Sequence, residues 1–385
     1  MLGLGWIAVH AGAPDSPEFR AADDRIMDRS GKTVLQEVPK SGGRVTASDA
    51  LKSSIRQWSA GLKGRAAVIM VHGYSYDPTA EYDPGSDDDA FNRVYANPAV
   101  ERYPLESWLP IVGETSEDGE ALNDIALGFC WTSTGSLSHY AKAGWSNSYQ
   151  YAVLDLAVQA AKSLELIVQT LREEGVKVDF LAHSLGTRLT LRTLSLLADH
   201  GAIDCVRRVV LLGGAEFSVD ALHAVGKGGY DVFNLVNRHD EVLQWGAAKM
   251  IHPFRYVQTA EARVIGRDGM KQTDRWIDIQ IDRSGSNRRA SFDQWFQGNF
   301  HTTLASDGAG GRGRHWGYYM QPGNRAFLRQ LFADPALGAA EFRNRGLIDG
   351  VVRYAYGELP DKVPVTPQTL RERLDAVREA SAVMV

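Results

Sequence analysis

The 385-residue sequence contains few cysteines and little net charge. Its two cysteines, Cys130 and Cys205, both lie in apolar stretches, where a free thiol behaves as a small hydrophobic side chain. A disulfide framework is therefore not expected. The formal net charge of −5 argues against strong attraction to phosphate backbones or anionic membrane surfaces, so nucleic acid is not an expected partner.

Long apolar runs and cofactor motifs are also missing. No run reaches the roughly 18 residues that span a bilayer, and residues 1–13 contain no Lys or Arg. A cytoplasmic location is expected, although Ala11-Gly12-Ala13 resembles a signal-peptidase site and leaves secretion as an alternative. No spacing of Cys and His is typical of zinc. The glycines at 308, 310 and 313 have the spacing of the dinucleotide-binding fingerprint, but the sequence predicts no strand before them and no helix after them. A loop is therefore predicted there instead of a dinucleotide site.

Through the middle of the chain, apolar runs alternate with helical patterns. Runs that are apolar on both faces are typical of strands in a parallel sheet that is covered by helices on each side. The sequence therefore predicts an α/β fold with a mostly parallel central sheet and flanking helices. The predicted strands are residues 66–71, 125–130, 178–182, 206–212 and 232–236, with strand-like runs also at 6–9 and 276–281.

The sequence predicts one catalytic domain with extensions. Its core is expected at residues 66–335, preceded by an extension at 1–65 and followed by a helical extension at 336–385. Residues 82–123 and 251–314 are predicted excursions from the core, because they are rich in polar and turn-forming residues. Long ordered loops of this kind are often functional in compact enzymes.

The chemistry centres on the pentapeptide Ala182-His183-Ser184-Leu185-Gly186. An apolar strand ends at Ala182 and an amphipathic helix begins at Leu185. A nucleophilic serine at such a strand-to-helix turn requires small residues two positions before and after it, because the backbone is crowded there. Ser184 is therefore the predicted nucleophile; the alternative is a serine that only caps the helix.

An attacking serine creates an oxyanion, which preorganised N–H donors must stabilise. One donor is expected to be the backbone N–H of Leu185, at the N-terminus of the helix. The second is expected from the turn Val71-His72-Gly73-Tyr74, where Gly73 allows a sharp bend and Tyr74 presents its N–H. The alternative for this segment is a plain turn at the end of a strand.

The base and acid should follow the nucleophile in the order Ser, acid, His. His315 is the predicted base, because it lies after a glycine-rich stretch and before a helix at residues 324–332; His301 is the alternative. Asp240 is the predicted acid, because it directly follows the strand at 232–236 and could orient the imidazole. Glu241 and Glu216 remain alternatives for the acid.

Aromatic residues lie near the predicted mouth of the sheet. Tyr76, Trp131 and Trp316 are predicted to contact substrate, because ligand pockets are lined by aromatic side chains. The alternative is that they belong to the core.

Three motifs resemble those of the esterase and lipase superfamily of α/β-hydrolases: Val71-His72-Gly73-Tyr74, Phe129-Cys130-Trp131-Thr132-Ser133 and the Ser184 pentapeptide. In detail they are most similar to a bacterial group in which a Trp-x-Ser segment ends the strand before the long helix. The resemblance covers residues 66–335. It implies an α/β-hydrolase fold and a Ser-His-Asp triad, here Ser184, His315 and Asp240, without metal or organic cofactor.

These features predict a serine hydrolase that cleaves a small-molecule carboxylic ester through an acyl-enzyme. The alternatives are a thioesterase, a lipase or an acyltransferase that uses the same site, or a non-catalytic binding module on a hydrolase scaffold.

Overall fold

Seven strands form one sheet in which each described pair of neighbours is parallel, which confirms the predicted α/β class. The strand order across the sheet is β1-β3-β2-β4-β5-β6-β7. The strands are Gly5–Val9 (β1), Ala66–Val71 (β2), Ala126–Trp131 (β3), Lys177–His183 (β4), Val206–Leu212 (β5), Asp231–Val236 (β6) and Trp276–Gln280 (β7).

A computed structural model describes a little over half of the chain. The described residues are 5–9, 52–53, 55–57, 59–62, 66–74, 76, 94–95, 106–112, 126–131, 133, 156–243, 264–270, 273–282, 289–308 and 313–346. Within them the α-helices are Leu109–Val112 (α1), Ala157–Glu173 (α2), Leu185–Asp199 (α3), Ser218–Val225 (α4), Ile265–Asp268 (α5), Arg289–Phe300 (α6), Gly317–Met320 (α7), Pro322–Ala333 (α8) and Ala339–Asn344 (α9).

Side chains alternate between two apolar cores, one on each face of the sheet. Ile69, Phe180 and Leu211 point into the core formed with α2, α3 and α4. Their sequence neighbours point into the other core, which is formed with α1, α6, α8 and α9. Burial on both faces explains why these strands read as continuous apolar runs in the sequence.

The predicted strands are confirmed, with bounds that agree to within one residue. The strand-like run near the N-terminus is β1, which pairs with β3 at the edge of the sheet. Helix α6, within the predicted excursion at 251–314, was not anticipated. The predicted helix at 370–380 and the excursion at 82–123, apart from residues 94–95 and 106–112, lie outside the described residues, and the domain boundaries stay a prediction.

The order of the strands creates a crevice between the carboxyl ends of β2 and β4. The connection from β2 leads to β3 on one side, whereas β4 leads to β5 on the other. In open parallel sheets, ligands bind where neighbouring connections diverge in this way. The segments after β2 and β4 are those from which Tyr74 and Ser184 were predicted to act.

Candidate active site

Ser184 occupies a strained turn between β4 and α3. Its backbone angles are φ 53° and ψ −123°. Residues other than glycine rarely adopt this conformation, which costs about 1–3 kcal/mol. Neighbouring backbone groups enforce the conformation: the N–H of Ser184 donates to Leu212 O at 3.0 Å, and its carbonyl accepts from Thr187 N at 3.1 Å and Ala215 N at 3.0 Å. Strain that is held in place in this way is a common feature of functional sites.

Close packing explains the glycines around this turn. A Cβ on Gly186 would collide with the carbonyl oxygens of Val71 and His72, so α3 can approach the end of β2 only with glycine here. A Cβ on Gly73 would lie 2.8 Å from the Cβ of Ser184. The turn after β2 therefore lies directly against the side chain of Ser184.

The structure brings together Asp240 and His315, which are 75 residues apart in the sequence. The Nδ1 of His315 lies 2.7 Å from Asp240 Oδ2, and both side chains are buried, with 4% and 0% exposure of the two residues. Asp240 follows β6, and His315 lies in the 3₁₀ turn Arg314–Trp316. A carboxylate can only accept, so Nδ1 carries the proton and Nε2 presents its lone pair.

The surroundings of Asp240 favour its charged form. Burial by itself would raise the pKa of Asp240, but the electrostatic interaction with His315 and three hydrogen bonds together bring the pKa below its ordinary value. The donors are His315 Nδ1, Tyr318 Oη at 3.0 Å and Leu243 N at 2.9 Å. Asp240 is thus an anion that faces a histidine ring.

Ser184 is joined to this pair through its neighbour His183. The imidazole rings of His183 and His315 lie 4.6 Å apart between centroids, and His183 Nε2 is 2.9 Å from the carbonyl oxygen of His315. Ser184 is 6% exposed. A strained serine, a histidine and an anionic aspartate therefore lie within one buried cluster.

His72 fixes the turn after β2. Its Nε2 accepts from Trp131 N at 3.0 Å, so the proton is on Nδ1, which donates to Gly73 O at 2.8 Å. The backbone N–H of His72 donates to Tyr95 Oη at 2.9 Å, and its carbonyl accepts from Trp131 Nε1 at 3.0 Å. Burial lowers the pKa of His72 to about 3, so the ring is neutral and this pattern is stable.

The hydrogen bond to Gly73 O also orients the amide N–H of Tyr74. Both groups belong to one peptide unit, which is planar and trans, so the N–H points away from the carbonyl that His72 holds. Sequence reasoning proposed the Tyr74 N–H as a donor but gave His72 no part in directing it.

The alternative acids and base lie elsewhere. Glu216 is paired with Arg188 at 2.5 Å, and burial raises its pKa to about 7. Glu241 is exposed and lies 3.6 Å from Arg314. His301 is exposed, at the end of α6. Within the described part of the chain, none of these three takes part in a carboxylate–histidine contact like that between Asp240 and His315, and their assignment in a reaction stays a prediction.

The three aromatic residues predicted to contact substrate have different environments. Trp131 is fully buried and stacks on the His72 ring, with centroids 5.8 Å apart and planes at 11°. Tyr76 is partly exposed and contacts the same ring edge-on at 4.7 Å, and Trp316 is partly exposed and contacts His315 at 5.4 Å. Trp131 thus supports the turn after β2 from behind, whereas contact of all three with substrate stays a prediction.

Four contributors to this site were missed by sequence reasoning. His183 and His72 were excluded as bases by chain order, and no pattern indicated a structural role for either. Tyr318 and Tyr95 lie far from the motifs in sequence; Tyr95 Oη bridges the ends of β2 and β3, lying 2.9 Å from Met70 O and 3.0 Å from Phe129 O. The only available signal was that Tyr318 lies three residues after His315.

In comparisons with known proteins, no family model matches the chain, and no curated protein sequence matches it. Among the described helices, none combines the length and apolar character needed to cross a membrane. The same part of the chain contains no group of three His, Cys, Asp or Glu residues that could hold a metal ion.

Proposed function

We propose that this protein is a serine hydrolase of the α/β-hydrolase fold that cleaves a carboxylic ester. One observation carries the proposal: a serine held at positive φ between a strand and a helix directly follows His183, whose ring lies 4.6 Å from the histidine of a buried, hydrogen-bonded Asp–His pair. The chain order of the three residues, Ser184, Asp240 and His315, is the order that this class of enzyme uses.

In the proposed first step, Ser184 Oγ attacks the carbonyl carbon of the ester. His315 Nε2 takes the hydroxyl proton as the C–O bond forms, and the carbonyl π pair moves to oxygen. Collapse of the tetrahedral intermediate expels the alcohol, which receives that proton from His315. Asp240 keeps the imidazole in the Nδ1–H tautomer and stabilises its charged form, which the low pKa of Asp240 permits.

The proposed oxyanion donors are the backbone N–H groups of Tyr74 and Leu185. Leu185 begins α3, so its N–H is free of intrahelical bonding and lies at the positive end of the helix dipole. The Tyr74 N–H is directed by the bond between His72 and Gly73 O. Donors that are oriented before the reaction require no reorganisation when the negative charge develops.

Water completes the proposed cycle by attacking the acyl-enzyme. His315 takes a proton from the water, the acid is released and Ser184 regains its proton from His315. Burial of Ser184 and His315 withdraws the centre from bulk solvent, which strengthens each of these interactions. We propose carboxylic esters as a substrate class, because the walls of the pocket determine which ester binds.

The test is covalent labelling with a fluorophosphonate probe, followed by hydrolysis of p-nitrophenyl esters of increasing chain length. Wild type is expected to label at one site, Ser184→Ala to lose labelling, and His315→Ala to label at least about 10³-fold more slowly. Ser195→Ala is the matched control, because Ser195 is a buried serine in α3 that donates to Leu191 O.

Two results would contradict the proposal. A folded wild type that neither labels nor hydrolyses esters would favour a non-catalytic binding module. Loss of labelling in His301→Ala, with His315→Ala unaffected, would transfer the role of base to His301. Product analysis with added alcohol or amine acceptors separates hydrolysis from acyl transfer, since a transferase would form the new ester or amide.

A further inference from the structure

His183 adjoins both the proposed nucleophile and the proposed base, and its ring lies on the face of the sheet opposite to α3. As the last residue of β4, it directly precedes Ser184. Its ring packs edge-on against Trp108 at 6.3 Å and Tyr319 at 5.1 Å, and lies 4.6 Å from the His315 ring. The residue is 6% exposed. It therefore joins the strained turn to the turn that carries His315.

The contact that joins them defines the protonation state of His183. Its Nε2 lies 2.9 Å from the backbone carbonyl oxygen of His315, which can only accept, so Nε2 carries the proton. Burial, together with the neighbouring His315, lowers the pKa of His183 to about 3. His183 is therefore a neutral donor at physiological pH.

We propose that His183 is a positioning residue for His315: its Nε2–H holds the backbone of the 3₁₀ turn Arg314–Trp316 at a fixed distance from Ser184. This inference rests on the proposed function. Two anchors would then orient the base, since Asp240 holds the ring at Nδ1 and His183 holds the backbone at the carbonyl. His183 takes no proton in the proposed mechanism.

Two anchors matter because the imidazole must present Nε2 to a serine that cannot adjust. The backbone of Ser184 is held by hydrogen bonds to Leu212, Thr187 and Ala215. Any shift of the His315 turn therefore changes the distance between nucleophile and base directly. A displacement of about 1 Å in such a pair can cost about 10²-fold in rate.

The test compares three substitutions that separate the donor from the ring. His183→Phe keeps a ring but has no donor. His183→Gln places an amide nitrogen near the position of Nε2, whereas His183→Asn carries the same amide one methylene shorter. We expect kcat to fall about 10- to 100-fold in the Phe and Asn variants with KM unchanged, and to stay within about fivefold of wild type in the Gln variant.

A second arm repeats His183→Phe in a His315→Ala background and measures the rate of fluorophosphonate labelling. If His183 acts through His315, the second substitution causes no further loss. The inference is overturned if the Phe variant keeps its kcat, if Gln fails to restore it, if the loss is in KM, or if the loss persists without His315. Thermal unfolding of each variant shows whether a loss of activity is due to misfolding. If the Phe variant does not fold, the activity of the Gln and Asn variants decides whether His183 acts as a donor.

Nitrogen NMR of ¹⁵N-histidine-labelled Ser184→Ala protein tests the geometry without requiring activity. The His183 ring is expected as the neutral Nε2–H tautomer from pH 5 to 8. A charged ring or the Nδ1–H tautomer would overturn the inference on its own. A different outcome is that NMR shows the expected tautomer but the wild-type protein does not react with the fluorophosphonate probe. That result would reject the proposed function, whereas the hydrogen bond from His183 to the His315 carbonyl would stand.

Discussion

Two buried aspartates each accept three hydrogen bonds, yet the protein shifts their pKa values in opposite directions. Asp240, after β6, accepts from His315, Tyr318 and Leu243 N, and its pKa lies below the ordinary value. Asp278, in β7, accepts from Asn234 at 2.6 Å, Trp276 at 2.8 Å and Met270 N at 2.9 Å. Burial dominates at Asp278 and raises its pKa to about 6.

The difference lies in the charge of the partners. Burial raises the pKa of both groups, but only Asp240 faces a side chain that can become a cation. At Asp278, the neutral donors offset only part of the desolvation cost, so the pKa remains raised. Asp240 is therefore suited to stabilise an imidazolium. Asp278 instead braces the backbone from Val264 to Met270, together with Asn234, which donates to Ile265 O.

The largest expected effect is on turnover. Asp240→Asn should lower kcat by about 10⁴-fold, because an amide neither stabilises an imidazolium nor enforces the Nδ1–H tautomer. Asp278→Asn, the matched control, should leave kcat within about fivefold. Steady-state kinetics on a p-nitrophenyl ester, with thermal unfolding of each variant, provides the comparison.

Substitutions of the alternative acids complete that experiment. Glu216→Gln and Glu241→Gln should retain kcat, although Glu216→Gln should lower stability because it leaves the buried Arg188 without its carboxylate. An unchanged rate in Asp240→Asn, with turnover lost in either Glu variant, would reassign the acid.

The second effect is on stability, and its sign differs between the two aspartates. Between its ordinary pKa of 3.8 and about 6, native Asp278 keeps a proton that the unfolded chain releases, so the free energy of unfolding falls as pH rises through this window. The contribution of Asp278 to the free energy of unfolding is fully present below pH 3.8 and is lost above about pH 6. The free energy of unfolding changes by about 3 kcal/mol between these two limits. Asp240 has a lowered pKa, so its contribution is present at higher pH and lost in acid.

Urea unfolding of wild type and Asp278→Asn from pH 4 to 7 measures this effect as a difference between two profiles. The stability of wild type relative to the variant should decline across the window, because groups common to both proteins cancel. Parallel profiles would mean that Asp278 is charged in the native protein throughout, and the contrast with Asp240 would be lost.

Local pattern was sufficient to predict the strands and the strained turn. Continuous apolar runs identified β2 to β6, since both faces of the sheet are buried, and the small residues around Ser184 reflect the collision that a side chain on Gly186 would cause. The place of β1 beside β3 could not be predicted, because pairing between residues that are 122 apart in the sequence depends on how the whole sheet assembles.

The same limit applies to the site. Chain order led to His315 and Asp240, and the structure places them 2.7 Å apart. Chain order also excluded His72 and His183 as bases, but nothing local indicates that one holds the Gly73 carbonyl and the other the His315 carbonyl. Such roles depend on tautomers, which are set by neighbours that are distant in sequence.

The smallest effect concerns the third donor to Asp240. Tyr318 Oη lies 3.0 Å from Asp240 Oδ2 and 3.1 Å from Gly266 O, so Tyr318→Phe removes one of three bonds to the carboxylate while the ring stays in place. Loss of one such bond is worth about 1 kcal/mol, so kcat should fall about fivefold.

Trp276→Phe is the matched control, because it removes the indole donor from Asp278 Oδ1. It should leave kcat unchanged, while the pKa of Asp278 rises further. Kinetics of both variants tests whether the two aspartates are independent. Equal slowing in Trp276→Phe would mean that the backbone from Val264 to Met270, which supplies Gly266 O to Tyr318, transmits the state of Asp278 to the reaction centre.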